Sequence, residues 1–276
     1  MAALLALLGA SLWGIGDFFG GVASRRTHVL AVLVASQAVG LAGAAAWTLA
    51  SNDAWPGAGA LLPALGAGVA GAVGLGALYR GMAIGAMGIV APISAASPVV
   101  PLAIDLARGT TPSVLRWSGI ALALAGIVLL SRDPGSASGT GFASGVALAL
   151  VAALGFGLFV VGLDVASDAS VPWAILGVRS ASTTLAILTA IAIAAPMTAS
   201  RGLWPMIAAV GVFDTGANVC VAFATTRTSA GVVAVLSALY PVTTIVLARM
   251  VLGERLDARR RVGGALALCG AALVAV

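Results

Sequence analysis

Residues 231–242 read GVVAVLSALYPV and residues 88–99 read GIVAPISAASPV, so one apolar pattern ending in Pro-Val occurs twice. The two copies differ in residue number by 231 − 88 = 143, which we call the repeat offset. At the same offset, Trp13-Gly14 matches Phe156-Gly157. At an offset larger by one, GIALALAG (119–126) matches GGALALCG (263–270). The offset therefore holds at the start, middle and end of the chain. It predicts two homologous halves, residues 1–136 and 137–276.

The composition is that of an integral membrane protein. The chain has 276 residues, of which 61% are hydrophobic and 8% charged, with a mean hydropathy of +1.13. Soluble domains carry about 25% charged residues, and a bilayer-spanning helix needs about 20 apolar residues. The apolar runs predict ten spans: 3–23, 29–50, 60–80, 87–107, 113–131, 142–163, 172–195, 204–225, 229–250 and 259–276. The first run is long enough to be a helix rather than a cleaved signal peptide.

Five spans per half is an odd number, so the second half would cross the membrane upside down relative to the first. Inverted repeats of this kind are typical of secondary transporters, whose substrate sites lie near the midplane between the repeats. The predicted fold is all-α, with ten transmembrane helices arranged as two inverted five-helix repeats around a central cavity.

Arginine placement predicts the orientation, because cytoplasmic connections carry an excess of basic residues. Connections after odd-numbered spans contain Arg25, Arg26, Arg80, Arg132, Arg201, Arg255, Arg259, Arg260 and Arg261, and the alternate ones contain Arg108, Arg116 and Arg227. Both termini are thus expected on the periplasmic side of a bacterial inner membrane. The net charge of +5 comes from scattered arginines without lysine, so no nucleic-acid partner is expected. Cys220 and Cys269 lie in apolar runs and are expected to be free thiols.

Three charged residues, Asp17, Arg179 and Asp214, stand out within the predicted spans. A charge inside a bilayer costs a few kcal/mol and usually faces the bundle interior or a water-filled cavity. With about 1.5 Å of rise per residue, the depths below the outer boundary are roughly 20 Å for Asp17, 10 Å for Arg179 and 15 Å for Asp214. An Arg179–Asp214 ion pair is therefore within reach. At the repeat offset the counterparts are Val160, Ser36 and Gly71, so no charge is duplicated.

Two interpretations of these charges are open. In the functional one, Arg179 holds a substrate carboxylate or phosphate, Asp214 tunes Arg179 or contacts a substrate amine, and Asp17 takes up and releases a proton. In the structural one, Arg179 and Asp214 only neutralise each other, and Asp17 snorkels or bonds a neighbouring helix.

Uncharged residues complete the candidate substrate or ion site. Asn218, one turn from Asp214, and Gln37 either join helices by hydrogen bonds or contact substrate. Trp13, Tyr79 and Tyr240 are candidate aromatic walls, with packing against lipid as the alternative. Ser94 and Ser237 occupy matching positions and either satisfy backbone carbonyls or contact substrate. Pro98 and Pro241 also match, and are expected to interrupt mobile, cavity-lining helices.

The chain resembles the EamA-type family of the drug/metabolite transporter superfamily. The resemblance rests on Trp13-Gly14, the duplicated halves and the block from Ser237 to Val274, above all LGERL (252–256). The opening WGIGDFFGGVASRR (13–26) is similar to a bacterial subgroup. The first half departs from the pattern, with Thr110-Thr111-Pro112 in place of Gly253-Glu254-Arg255. The resemblance implies a ten-helix carrier of small metabolites, often an exporter, with helices 1–4 and 6–9 around the cavity.

The sequence therefore predicts a secondary transporter that exports small metabolites such as amino acids by alternating access, coupled to protons. The alternatives are a lipid-linked substrate flippase and a non-transport structural bundle. One histidine and one glutamate leave few acid–base groups, so no enzyme activity, cofactor or metal is expected. The expected partners are a small-molecule substrate, protons and the lipid bilayer, with the protein a monomer or alternatively a dimer.

Overall fold

The structure is a computed structural model that describes residues 1–24, 26–84, 94, 96–131, 142–252 and 258–275. These residues form helices joined by short turns, and no strand occurs among them. The helices are α1 (Ala2–Ser24), α2 (Val29–Ala50), α3 (Ala58–Ile84), α4 (Val99–Ala107), α5 (Val114–Ser131), α6 (Phe142–Ser167), α7 (Val171–Ala192), α8 (Trp204–Thr225), α9 (Ala230–Ser237), α10 (Tyr240–Leu252) and α11 (Ala258–Ala275).

Six helices are long and apolar enough to cross a membrane: Ala2–Ser24, Val29–Ala50, Ala58–Leu78, Gly145–Ser167, Val171–Ala192 and the helical segment Arg201–Thr225. They coincide with six of the predicted spans. Shorter apolar helical stretches occur at Val114–Leu129, Ala230–Thr244 and Arg261–Val274. The protein is thus an all-helical, multi-pass membrane protein. Residues 87–93 and 95 of the predicted fourth span lie outside the described residues.

The predicted ninth span is two helices rather than one. Helix α9 ends at Ser237, and α10 begins at Tyr240 after a turn at Ala238 and Leu239. The break precedes Pro241, because proline clashes with the preceding turn and disfavours helical geometry in the residue before it. Pro98 likewise precedes α4 directly, at the end of a turn over 96–98. Both predicted interruptions are therefore present.

Polar side chains cap the helices where the sequence has its breaks. The Oγ atom of Ser170 accepts a hydrogen bond from the Trp173 backbone N–H at the start of α7. Ser229 caps α9 in the same way, and His28 Nδ1 accepts from the Leu30 N–H at the start of α2. Each cap satisfies a backbone donor that the first helical turn leaves free.

The principal packing partners lie on opposite sides of the 132–141 segment. Helix α1 packs on α8, α3 on α6, α2 on α7, and α5 on α11. Glycines allow these close approaches. A Cβ atom at Gly14 would lie 2.5 Å from the Tyr240 carbonyl oxygen, and one at Gly157 would lie 2.8 Å from the Ser97 carbonyl oxygen. The two glycines are related by the repeat offset, and so are their two partners. Glycines at matching positions of the two halves therefore make matching contacts.

Helix α9 lies at the centre of this arrangement, with every residue from Ala230 to Ser237 buried. It packs against α1, α4, α6 and α8. A helix that is apolar on all sides is stable only when it is surrounded. The α9–α10 break therefore lies in the interior of the bundle.

Candidate functional site

Arg179 lies in the middle of α7, and its side chain is only 2% exposed. Its Nη1 atom lies 2.6 Å from Oδ2 of Asp214 on α8. The ion pair that the depth estimate allowed is therefore present. The Asp214 side chain is 30% exposed, so the two partners differ in their access to solvent.

Gln37 joins this ion pair from α2. Its Oε1 atom accepts hydrogen bonds from Arg179 Nη1 at 2.7 Å and from Ser182 Oγ at 3.0 Å. Its Nε2 atom donates to Asp214 Oδ2 at 3.4 Å. The amide thus has a partner for both of its ends, and it holds Arg179 and Asp214 in one orientation.

Trp13 binds the same carboxylate from α1. Its indole N–H is shared between Asp214 Oδ1 at 3.1 Å and Asn218 Oδ1 at 3.0 Å. The ring also contacts Phe159, with centroids 6.2 Å apart. Asp214 therefore accepts hydrogen bonds from three helices, and the predicted site residues Trp13, Gln37, Arg179, Asp214 and Asn218 form one network.

The glycine contacts correct one predicted correspondence. Gly68 and Gly211, which are related by the repeat offset, each face the backbone of a neighbouring helix. The atoms that a Cβ would meet are the Val178 oxygen and Ala181 Cβ at Gly68, and the Ser36 oxygen and Val39 Cβ at Gly211. The residue numbers of the matching partners Val178 and Ser36 differ by one less than the repeat offset. Arg179 therefore corresponds to Gln37 and not to Ser36. Sequence alone missed this because the connections before α2 and α7 differ by one residue.

Asp17 lies on α1 beside this network. The neighbouring Gly16 approaches the Asp214 backbone, with 3.7 Å between its Cβ position and Asp214 N. Asp17 therefore lies close to the level of Asp214, and not one to two turns deeper, because helix tilt changes depths estimated from residue counts. The side chain is exposed, and its charge interacts with Asp214 and with Tyr240 on α10. Among the described residues it has no hydrogen-bond or ion-pair partner.

The remaining predicted residues have different surroundings. Tyr240 is partly buried and stands at the start of α10. Ser237 is buried at the end of α9, and its hydroxyl has no hydrogen-bond partner within the described part of the chain, so it does not satisfy a freed carbonyl there. Ser94 is buried and has a partner. Tyr79 belongs to α3, but its side chain lies outside the described residues. Cys220 and Cys269 are free thiols.

Two contacts between inter-helix connections, which sequence reasoning missed, lie at opposite ends of the bundle. In the Asp53 clip, Ser170 Oγ donates to Asp53 Oδ2 at 2.6 Å and Trp173 Nε1 donates to the Asp53 carbonyl at 3.2 Å. In the Thr27 clip, Thr27 Oγ1 donates to the Thr198 carbonyl at 2.8 Å. Thr27 and Ser170 are related by the repeat offset, so a search of the loops at that offset would have found them.

Asp105 is a buried carboxylate that sequence reasoning passed over. Its Oδ2 atom accepts a hydrogen bond from the Gly231 N–H at 2.7 Å, in the first turn of α9. A carboxylate at a helix N-terminus is favoured by the free N–H groups there. Nearby, Arg108 pairs with Asp164 at 3.6 Å. The charge near the end of a predicted span was the signal, and its role is to fix α4 to α9.

Three comparisons with known proteins place the chain. The model of the EamA-like transporter family matches residues 1–132 and again residues 143–276. No protein with a curated description matches the sequence. A protein known by its crystal structure superposes with a TM-score of 0.79 over 99% of this chain and 95% of its own, at 19% identity, which is similarity of fold alone. The family match covers nearly the whole sequence in two halves, and the protein is a member of the EamA-like transporter family.

Proposed function

We propose that the protein is a secondary transporter that exports a small polar or amphipathic metabolite across the bacterial inner membrane by alternating access, coupled to protons. Membership in a transporter family supports the general activity. The observation that carries the proposal is the accessible carboxylate of Asp17 beside the buried Arg179–Asp214 pair. A purely structural bundle would bury or pair Asp17, because an unpaired charge facing lipid is costly.

The ten-helix inverted-repeat architecture belongs to this proposal. If the halves 1–136 and 137–276 are exchanged, α1 takes the place of α6 and α3 takes the place of α8. The contact between α1 and α8 then corresponds to the contact between α6 and α3. The equivalent approaches at Gly14 and Gly157 support the same exchange. In such an architecture a site between α1, α2, α7 and α8 lies between the repeats and is reached from alternate sides.

Alternating access assigns roles to the helix breaks and the clips. The break before Pro241 separates the buried α9 from α10, so α10 can change its angle without disturbing α9. The Asp53 clip and the Thr27 clip lie at opposite ends of the bundle and would open in turn. Arginine placement assigns the Asp53 clip to the periplasmic face and the Thr27 clip to the cytoplasmic face.

The flippase alternative calls for a lateral opening that reaches the polar site. An apolar groove of about 360 Å³ lies beside α2 and the end of α7, and its lining residues are Val34, Ile187, Ala190, Ile191, Ala194, Ala195 and Met197. None of them belongs to the network around Asp214. This groove therefore does not favour movement of a polar head group through the site.

The test is solute-driven proton movement in proteoliposomes. Purified wild type and Asp17→Asn would be reconstituted with a pH-sensitive dye inside, and a panel of amino acids and cationic metabolites added outside. Substrate-dependent proton movement by wild type alone supports a coupled carrier. Solute flux without proton movement would show that the protein transports the solute but does not couple this transport to protons. Absence of flux for every solute, with flipping of a lipid-linked substrate, would favour the flippase.

A further inference from the structure

The charged groups of the site differ in accessibility. Arg179 is 2% exposed, and its Nε and Nη2 atoms are buried, with no hydrogen-bond partner among the described residues. Asp214 is 30% exposed, and Asp17 is exposed. A solute that enters this site therefore meets carboxylates and does not meet the guanidinium.

The charges also do not balance. Arg179 neutralises Asp214 through the contact at 2.6 Å, which leaves Asp17 without a counter-charge among the described residues. The elements packed against α1 are α2, α8, α9 and α10, and Phe159 of α6 also contacts Trp13. Among their described side chains, the ionisable groups facing Asp17 are Asp214 on α8 and Tyr240 on α10, because α2 and α9 contain no charged residue. The accessible part of the site is therefore net negative.

From this asymmetry we infer that the site takes the cationic group of an organic cation, bound between Asp17 and the partly exposed Asp214, and that Arg179 is a positioning residue. The inference rests on the proposed transport function and narrows its substrate class. Trp13, one turn before Asp17, adds an aromatic wall that attracts cations. Arg179, Gln37 and Trp13 fix the orientation of Asp214, whose side chain remains partly exposed.

The same geometry disfavours carboxylate-bearing substrates. A carboxylate in the site would lie near Asp17 and Asp214, and like charges at short range repel each other. It could reach Arg179 only by displacing Asp214 and Gln37 from Nη1 or by opening the helix contact around Gly40, where the guanidinium packs. The expected substrate is thus a cationic metabolite rather than a zwitterionic amino acid.

The test uses three compounds that share one bulky head and differ in charge. Choline is a permanent cation, glycine betaine is a zwitterion with the same trimethylammonium group, and 3,3-dimethylbutyrate is an anion with a tert-butyl group in its place. Binding to the purified full-length protein would be measured by calorimetric titration. The variants are Asp17→Asn, the conservative Asp17→Glu, and Asp168→Asn as a matched control on the exposed turn after α6.

We expect wild type, Asp17→Glu and Asp168→Asn to bind choline, and Asp17→Asn to bind it about tenfold or more weakly, because tenfold corresponds to a single weak ion pair. Betaine and dimethylbutyrate should bind wild type at least tenfold more weakly than choline. Equal or tighter binding of either compound would overturn the inference, and so would choline binding that is absent in wild type or unchanged in Asp17→Asn. The comparison of the three compounds on wild type needs no variant to fold.

Flux measurements separate this inference from the proposed function. Proteoliposomes would be loaded with labelled choline or labelled betaine and followed for release. Choline binding without choline release would support the cation site and contradict the proposed transport function. Release of betaine but not of choline would support the proposed transport function and contradict the inference that the substrate is a cation.

Discussion

Arg179 and Asp214 form an ion pair at 2.6 Å in which the cation is buried and the carboxylate is partly open to solvent. The Arg179 nitrogen that makes this contact also binds Gln37 at 2.7 Å, so α2, α7 and α8 meet at one guanidinium. The two charges do not have the same task in this arrangement. Arg179 fixes the network from inside, and Asp214 is the partner that stays partly exposed.

Removal of one charge from this pair should cost more than removal of both. Arg179→Met leaves Asp214 without its counter-charge, and Asp214→Asn leaves a buried guanidinium, so each should lower the free energy of unfolding by about 3–5 kcal/mol. The double variant should lose less than the sum of the two. Denaturant unfolding of detergent-purified protein measures all four members of this cycle, and additive losses would contradict a direct pair.

Trp13→Phe should separate hydrogen bonding from ring packing. Phenylalanine can still pack on Phe159 but cannot donate to Asp214 and Asn218. We expect a loss of about 1–3 kcal/mol, because one of the lost acceptors is a carboxylate. Trp117→Phe, on the exposed side of α5, is the matched control and should change the stability little. Equal effects of the two substitutions would mean that the indole N–H contributes nothing.

Gly14→Ala should destabilise the contact between α1 and α10. The added Cβ would lie 2.5 Å from the Tyr240 carbonyl oxygen and 2.6 Å from Thr243 Cβ, so the helices must separate. Overpacking of this kind costs about 1–3 kcal/mol. Gly21→Ala is the control on the same helix, since nothing lies within 4 Å of its Cβ position. The melting temperature should fall for the first variant and stay level or rise for the second; the opposite order would refute the close approach.

Much of the fold follows from sequence because the bilayer restricts the choices. Helices α1, α2 and α8 occupy the predicted runs almost residue for residue, since polar breaks mark their ends. The sequence predicts an interruption at Pro241, and the break between α9 and α10 lies just before it, because proline acts on the preceding residues.

The site was harder to predict than the spans. Asp17, Arg179 and Asp214 were conspicuous as charges in apolar runs, but which partner each one finds depends on helix rotation and tilt. The correspondence of Arg179 with Gln37 depended on a one-residue shift that only glycine contacts revealed. The Asp53 clip joins connections that are far apart in the chain, and only a comparison of the loops at the repeat offset points to its Ser170.

Locking the Asp53 clip should stop transport. Cysteines at positions 53 and 170 would be joined by a short bifunctional methanethiosulfonate, in a protein whose Cys220 and Cys269 are replaced by alanine. Because the clip must open once per cycle under alternating access, flux should fall to near background and return after reduction. Each single-cysteine variant treated with the same reagent is a control. Undiminished flux in the cross-linked protein would show that this face does not open.

The arginine pattern predicts which face each clip occupies. Asp53→Cys and Thr198→Cys, both at exposed positions, would be made one at a time without the native cysteines. A membrane-impermeant maleimide should label position 53 in intact spheroplasts and position 198 only after permeabilisation. The reverse labelling pattern would show that the protein has the opposite orientation in the membrane.

The pairing of α1 with α8 and of α3 with α6 has a consequence for how the protein is made. Residues up to 131 leave the ribosome first, yet their principal partners follow only after residue 142. At about 5–20 residues per second, α1 waits roughly ten to forty seconds for α8. During that interval Asp17 has no companion from α8 or α10. The nascent first half must therefore be held by lipid or by the insertion machinery, and its assembly is completed by the second half rather than before it.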